Sequence, residues 1–381
     1  SEIMNYGRVH VSEELKKMMI KKSPKISVGV SVFSDLLNLE FKTEDFDLSE
    51  LADILASYRL KKKFHRLKNG DFLSIDEGSM ATLSELIDSM KISVKEFTKG
   101  KMKIPMYRAL YLDKLLQESG NVEYERDTYF KTLLRNFKSV EDSEYPVPGY
   151  LKNILRNYQK TGYRWLRTIE DYGFGGILAD DMGLGKTIQV ISLITGTYKE
   201  EDKATSIVIC PASLVFNWTN EFNMYGQSLK VLAITGTAEE RQELIGTYGN
   251  YDVLVTSYDL LKRDIEHYED IVFKYQIIDE AQNIKNYTTQ SAKAVKLIHA
   301  KTKFALTGTP IENRLSELWS IFDYLMPGFL YKYDKFKKSF ELPIVKYKDE
   351  MAIKRLRQMI SPFVLRRLKK DVLKDLPDKI E

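Results

Sequence analysis

The sequence predicts an α/β fold: a doubly wound parallel sheet preceded by a smaller α+β accessory domain. Three observations lead there. Beyond residue 150, short apolar runs suited to buried strands alternate with helical patterns. One of these runs, Ile177-Leu178-Ala179, turns through Gly183 and Gly185 into Lys186-Thr187 and an apolar helix marked by Ile188, Val190, Ile191, Leu193 and Ile194. Before residue 140 the pattern is different, with period-two stretches and hairpin turns among amphipathic helices.

The 381 residues leave room for two or three domains, and 43% apolar with 29% charged side chains is ordinary for a globular chain. No apolar run reaches the length of a membrane span and the N-terminus lacks a signal-peptide pattern, so no membrane partner and a cytoplasmic location are expected. The lone cysteine, Cys210, excludes an internal disulfide and a cysteine-rich zinc site. It lies in the run Ile207-Val208-Ile209-Cys210 and reads as a core residue. Four scattered histidines suggest no metal site made of protein ligands alone. Net charge is +4, and residues 1–150 are balanced at 24 basic against 24 acidic, so the excess falls in the remainder. The chain opens on Ser1 and stops at Glu381 in a charged segment, which suggests an excised part of a longer protein.

In order along the chain, residues 25–42 alternate apolar and polar about a turn at Ser34-Asp35, predicting a hairpin. Asp47-Leu48-Ser49-Glu50 has capping-box spacing and opens a helix with Leu51, Ile54, Leu55 and Tyr58 on one face. The basic run Arg59 to Lys63 reads as a solvated helix end rather than a DNA contact. Asn69-Gly70 predicts a second hairpin. Thr82-Leu83-Ser84-Glu85 predicts another helix start, and helical patterns cover Tyr107 to Glu118 and Tyr124 to Phe137. The acidic, proline-broken stretch from Ser139 to Gly149 marks the boundary, giving domains at 1–145 and 146–366 with an exit segment at 367–381. Strands are expected at Ile177–Ala179, Ile207–Cys210, Val231–Ile234, Val253–Thr256, Ile277–Asp279 and Phe304–Thr307.

The chemistry concentrates in two places. Gly183 and Gly185 let successive N–H groups approach an anion at a helix N-terminus, Lys186 supplies a charge for phosphates, and the Thr187 hydroxyl is a Mg²⁺ ligand. The usual loop pattern has glycine where this chain has Asp180, and taken alone Gly-x-Gly-Lys-Thr is also compatible with a helix-capping turn. The second place is Tyr275-Gln276-Ile277-Ile278-Asp279-Glu280-Ala281-Gln282, an apolar strand ending in two acids 93 residues after Lys186. In a nucleotide-hydrolysing site Asp279 helps hold Mg²⁺ and Glu280 polarises the attacking water. An exposed acidic strand end is the alternative.

With both places in view, residues 150–381 resemble the first motor lobe of the SWI/SNF family of DNA-dependent ATPases, a helicase-like branch of superfamily two. The resemblance is carried by ordered segments. They are Leu155 to Leu166, Ile177 to Gln189, Ile207 to Leu214 with Asn217-Trp218, Leu254 to Tyr258, Asp279 to Gln282, Leu306 to Asn313, and Pro362 to Val372. The accessory domain is similar to the helicase-associated region of bacterial members. The resemblance implies a RecA-like lobe of the P-loop NTPase type that takes ATP and Mg²⁺. Gln159 would read the base. Asp181, Met182, Gly183, Leu184, Gly185, Lys186, Thr187 and Ile188 would line the nucleotide, with Thr187 and Asp279 on the metal and Lys186, Asp279, Glu280 and Gln282 as the catalytic set. It also implies that Pro211, Ser213, Trp218, Thr256, Ser257 and Lys285 lie in or near a groove for duplex DNA, though Trp218 is equally a packing residue. Thr307 and Thr309 would couple the two sites.

What the sequence lacks is the second RecA-like lobe with the arginines that neutralise a departing γ-phosphoryl group. Arg366 and Arg367 come too early and belong to the exit from the first lobe. The expected function is the ATP-binding half of a double-stranded-DNA translocase that shifts bound protein, with weak nucleotide binding and slow hydrolysis alone. Two alternatives remain at this point: an ATPase acting on RNA or single strands, and a non-catalytic nucleotide-gated adaptor.

Overall fold

The computed structural model describes residues 20–21, 25–44, 46–75, 77–118, 122–140, 143–201, 204–227, 229–308 and 314–372. The chain divides into two compact units, Ser1–Arg135 and Asn136–Glu381.

In the first unit, β1 (Ile20–Lys21), β5 (Phe72–Ser74) and β4 (Phe64–Arg66) form one small sheet. A four-stranded sheet has the order β6 (Lys101–Pro105), β3 (Leu36–Thr43), β2 (Ile26–Phe33), β7 (Glu123–Arg126). The β2–β3 hairpin turns at Ser34-Asp35 as expected, and Ile26, Val28 and Val30 alternate inward against Leu37, Leu39 and Phe41. Asp47 caps the helix Leu48–Arg59 by accepting from Glu50 N at 2.7 Å. The box is not reciprocal, because Glu50 Oε1 accepts from Lys68 N instead. The β4–β5 strands pair as the Asn69-Gly70 signal suggests, but the loop runs from Leu67 to Asp71.

Two local expectations are corrected. The helix containing Thr82 spans Glu77–Met90, so Thr82 sits inside it and its hydroxyl donates to Gly78 O at 3.2 Å rather than capping a start. The segment from Tyr124 does not begin a helix. Glu123–Arg126 is strand β7, parallel to β2, and the helix occupies Thr128–Lys138, where Asp127 Oδ1 accepts from Phe130 N. Cross-strand pairing with β2 outweighs the weak helical periodicity of those residues.

The second unit is built on a seven-stranded sheet in which every pairing is parallel. Its order is β10 (Val231–Ala233), β11 (Val253–Ser257), β9 (Ser206–Cys210), β12 (Val272–Ile278), β13 (His299–Leu306), β8 (Gly176–Leu178), β14 (Val364–Leu365). All residues of β9 and β11 are buried, as expected for strands covered on both faces. Ile278 lies opposite Ala305 and Ala305 opposite Ile177. The carboxyl ends of β12 and β8 therefore share one edge of the sheet with only β13 between them, about 10 Å apart at the usual strand spacing. The extra edge strand β14 was not among the expected ones; two residues are too few to show a period.

Trp218, on the helix Val215–Tyr225, is 1% exposed and tilts against Phe222 with ring centroids 5.9 Å apart. Its indole N–H donates to Asp279 Oδ2 at 2.9 Å. Packing, not groove contact, is what this side chain does. Thr256 and Ser257 are likewise buried, and Ser257 Oγ accepts from Leu260 N at 3.3 Å to cap the following short helix. Their hydroxyls do not face a groove, because strand β11 carries them into the interior.

Trp218→Phe keeps an aromatic ring but removes the donor to a buried carboxylate. It should lower the unfolding free energy by about 1.5–3 kcal/mol in chemical denaturation, where a groove-facing tryptophan would change it by under about 0.5 kcal/mol. Burial, with a smaller push from the nearby Asp279 carboxylate, raises the Cys210 thiol to about 12. The native chain should not react with a thiol-specific disulfide reagent at pH 8 and should react stoichiometrically once unfolded.

Candidate functional site

The loop after β8 is shaped by its backbone. Gly183 and Gly185 have φ of 83° and 71°, left-handed conformations that glycine adopts at little cost. A Cβ at Gly185 would meet Gln159 Nε2 at 2.5 Å, so a side chain there would also displace Gln159. Gly185 caps the helix Lys186–Gly196, and the unpaired first-turn N–H groups open towards the loop. Lys186 Nζ donates to Asp180 O at 2.8 Å and to Asp181 O at 3.5 Å, folding the ammonium back against the loop. Thr187 is half-buried on the first turn, Leu184 and Ile188 are buried, and Met182 is exposed.

Gln159, on the helix Asn157–Asp171, is buried against this loop. Its Nε2 donates to Leu184 O at 3.1 Å and its Oε1 accepts from Arg156 N at 2.9 Å. The Tyr158 hydroxyl donates to the same Leu184 carbonyl. The amide expected to read a base therefore supports the loop in this conformation.

At the end of β12, Asp279 N donates to Ile209 O, and the carboxylate accepts from Trp218 Nε1 and from Glu280 N at 2.8 Å. Burial raises the Asp279 pKa. The Trp218 indole and the Glu280 N–H oppose that shift, the Glu280 charge adds to it, and the Lys186 ammonium pulls the other way. Lys186 and Asp279 thus lie within electrostatic reach of each other. Glu280 has φ 49°, a left-handed conformation that costs a non-glycine residue about 1–3 kcal/mol. It is held there by Asn283 Nδ2 on its carbonyl at 2.8 Å and by Gln282 Nε2 on its carboxylate at 2.7 Å. Gln282 Oε1 in turn accepts from the Thr307 hydroxyl at 3.3 Å, and Thr307 N donates to Leu178 O at 3.2 Å. A continuous chain of hydrogen bonds thus runs from Glu280 through Gln282 and Thr307 to strand β8. Thr309 lies outside the described residues.

Of the residues expected near nucleic acid, Pro211 is half-buried, Ser213 is exposed, and Lys285 is exposed with its ammonium 3.8 Å from Glu317 Oε1. Each follows the carboxyl end of a strand. Three participants were not foreseen. The Tyr258 hydroxyl donates to Asp279 O at 2.7 Å. Gln189 Nε2 donates to Gly185 O at 3.0 Å. Arg367 pairs with Asp180, which is fully buried. Asp180 itself was the available signal, since a buried carboxylate calls for a cation, but nothing local says which one.

These residues fit a nucleotide with Mg²⁺. The loop offers N–H donors and an ammonium, and the half-buried Thr187 hydroxyl and the desolvated Asp279 carboxylate are hard oxygen ligands. Among the described residues no group of three or more His, Cys, Asp or Glu side chains could hold a metal ion. A cation here would therefore need phosphate oxygens and water to complete its shell.

The SNF2-related domain family matches residues 158–381, and the bacterial SNF2 helicase-associated family matches residues 1–148. The ATP-dependent helicase MG018 of Mycoplasma genitalium is 34% identical over all of this chain, which spans 35% of that protein. The putative ATP-dependent helicase/translocase YwqA of Bacillus subtilis is 34% identical over 98% of the chain and 41% of its own length. The TATA-binding protein-associated factor MOT1 of Saccharomyces cerevisiae is 37% identical over 73% of the chain and 16% of its own length. Among solved structures, the Sulfolobus solfataricus SWI2/SNF2 ATPase core in complex with dsDNA superposes with a TM-score of 0.54 at 45% identity, covering 59% of this chain and 47% of that one. The Sulfolobus solfataricus SWI2/SNF2 ATPase core domain superposes with a TM-score of 0.54 at 42% identity, over 62% of this chain and 48% of that one. The parallel sheet, its phosphate-type loop and these matches together establish that the chain belongs to the SNF2-related family, with the bacterial helicase-associated segment ahead of its RecA-like lobe.

Proposed function

We propose that this chain is the ATP-binding part of a translocase that moves on double-stranded DNA and shifts protein bound to it. The observation that carries the reading is the shared edge of β8 and β12. It brings a loop of N–H donors and an ammonium to within one strand of two acids, bridged through Gln282 and Thr307. The loop from Asp181 to Ile188 would hold the phosphates, and Thr187 with Asp279 would hold Mg²⁺. Bound ATP with its metal supplies the scissile phosphoryl bond and the divalent charge that relieves the desolvated Asp279 carboxylate. Glu280, fixed by Gln282 and Asn283, orients and polarises the attacking water. Because Thr307 bonds to both β8 and Gln282, a shift at one end of that chain moves the other, which is how the nucleotide state reaches surfaces beyond the site.

Ser213, Pro211 and Lys285 stand after strand ends, where hydroxyl, backbone and ammonium groups can meet phosphates without reading bases. Binding of that kind is salt-sensitive and indifferent to sequence. Duplex DNA is favoured as the track because the superposed Sulfolobus core is described in complex with dsDNA. The arginine that neutralises charge on the γ-phosphoryl group comes, in this reading, from a second lobe, since Arg367 is committed to Asp180.

Two measurements test this. In the full-length protein, duplex DNA should stimulate ATP hydrolysis more than single strands or RNA, Glu280→Gln should retain nucleotide while abolishing turnover, and Lys186→Ala should abolish both. Preferential stimulation by RNA, or biological activity that survives Glu280→Gln, would replace the translocase with a different ATPase or an adaptor. The 381-residue chain by itself should hydrolyse ATP at least about a thousandfold more slowly than the complete motor; a brisk DNA-stimulated rate from it would contradict the need for a second lobe.

A further inference from the structure

Asp180 stands at the base of the phosphate-type loop and is 0% exposed. Its charge is met from 187 residues away, by Arg367. Arg367 Nε donates to Asp180 Oδ1 at 2.9 Å, and one terminal nitrogen bonds the other carboxylate oxygen and also Gln189 Oε1 at 2.6 Å. The remaining nitrogen bonds Tyr158 O, and the guanidinium lies 5.2 Å from the Tyr158 ring centroid. Gln189 Nε2 reaches Asp180 Oδ2 at 3.2 Å. A Cβ on Gly162 would meet Gln189 Oε1 at 1.8 Å and the same Arg367 nitrogen at 2.8 Å, so the helix Asn157–Asp171 leaves out a side chain where the network passes.

The backbone around Arg367 follows the loop as well. Val364 and Leu365 pair with Ile177 and Leu178. Ala179 N donates to Leu365 O at 2.7 Å, Asp181 N to Arg367 O at 3.0 Å, and Lys369 N to Asp181 Oδ2 at 3.0 Å. The segment 364–369 is thus laid along the strand and the first half of the loop. Asp180 joins the two sides, because its carboxylate takes Arg367 while its carbonyl takes Lys186 Nζ.

Resting on the nucleotide reading above, we propose that Arg367 is a positioning residue of the phosphate site, and that docking of the 364–369 segment and nucleotide binding favour each other. With Arg367 in place the carboxylate under the loop is neutralised, so the loop can receive an anion. With the segment lifted, a bare buried carboxylate lies beneath the N–H groups that must face phosphate, and both loop geometry and charge turn against the ligand. Coupling of this kind is reciprocal: nucleotide holds the segment down by the same factor as the segment strengthens nucleotide.

The test uses the 381-residue chain, ATP with Mg²⁺, equilibrium binding, and amide hydrogen exchange across 364–372. Arg367→Ala should weaken ATP binding about tenfold or more, Arg367→Lys should fall between it and the parent, and adding Asp180→Asn to Arg367→Ala should recover most of the loss. Rescue by Asp180→Asn traces the loss to the uncompensated carboxylate, and the exchange measurement on the unmodified chain separates coupling to ATP from a loss of fold stability. In the unmodified chain, ATP should slow exchange of the Lys369 amide, which needs no variant to fold. ATP binding that Lys186→Ala abolishes but Arg367→Ala leaves within twofold, or Lys369 exchange indifferent to ATP, overturns this proposal alone. A parent chain that binds no ATP overturns the nucleotide reading and this proposal with it.

Discussion

The parallel register of β12, β13 and β8 is the constraint on which the site depends. Parallel pairing puts all carboxyl ends on one edge, and the row Ile278, Ala305, Ile177 sets how far the acidic strand end lies from the loop. A one-residue slip of β12 would turn Asp279 to the opposite face of the sheet and break the bonds that its carboxylate accepts from Trp218 Nε1 and its N–H donates to Ile209 O. The central strands of the sheet are buried on both faces, and it is their pairing that sets the two halves of the site in place.

Buried carboxylates recur as the organising feature, and each is answered differently. Asp279 is met by an indole N–H and a backbone N–H, which leaves burial dominant and its affinity for a proton raised. That is a group which gains from a nearby cation. Asp180 is met by a guanidinium and an amide, and so is already neutralised. Asp264, away from the site, is paired bidentately with Arg241 at 2.6 and 2.7 Å, a closed structural pair. The difference between a carboxylate awaiting a ligand and one completed by the fold lies in these partners, not in residue type.

Much of this was legible in the sequence because it is local. Glycines before Lys-Thr, an apolar run before Asp-Glu, and a period-two hairpin at 26–43 each carry their structure within a few residues. Trp218, Thr256 and Ser257 were harder, since sequence order places them beside the expected groove while the sheet and the helix Val215–Tyr225 turn their side chains inward. Thr82 imitates a helix cap, yet the helix began at Glu77. Arg367 could not be assigned from its own neighbourhood, because its role is defined by a carboxylate that only tertiary pairing brings to it.

The central claim is that the loop after β8 and the acid at the end of β12 form one site for a triphosphate and its metal. The direct measurement is anomalous scattering from Mn²⁺ in crystals grown with a non-hydrolysable ATP analogue. The account predicts one metal peak between the Thr187 hydroxyl and the Asp279 carboxylate, with phosphates against the N–H groups of Gly183 to Thr187. Phosphates bound instead at the opposite edge of the sheet, where Arg167, Lys199, Lys274 and Lys301 line a separate cavity of about 340 Å³, would contradict it.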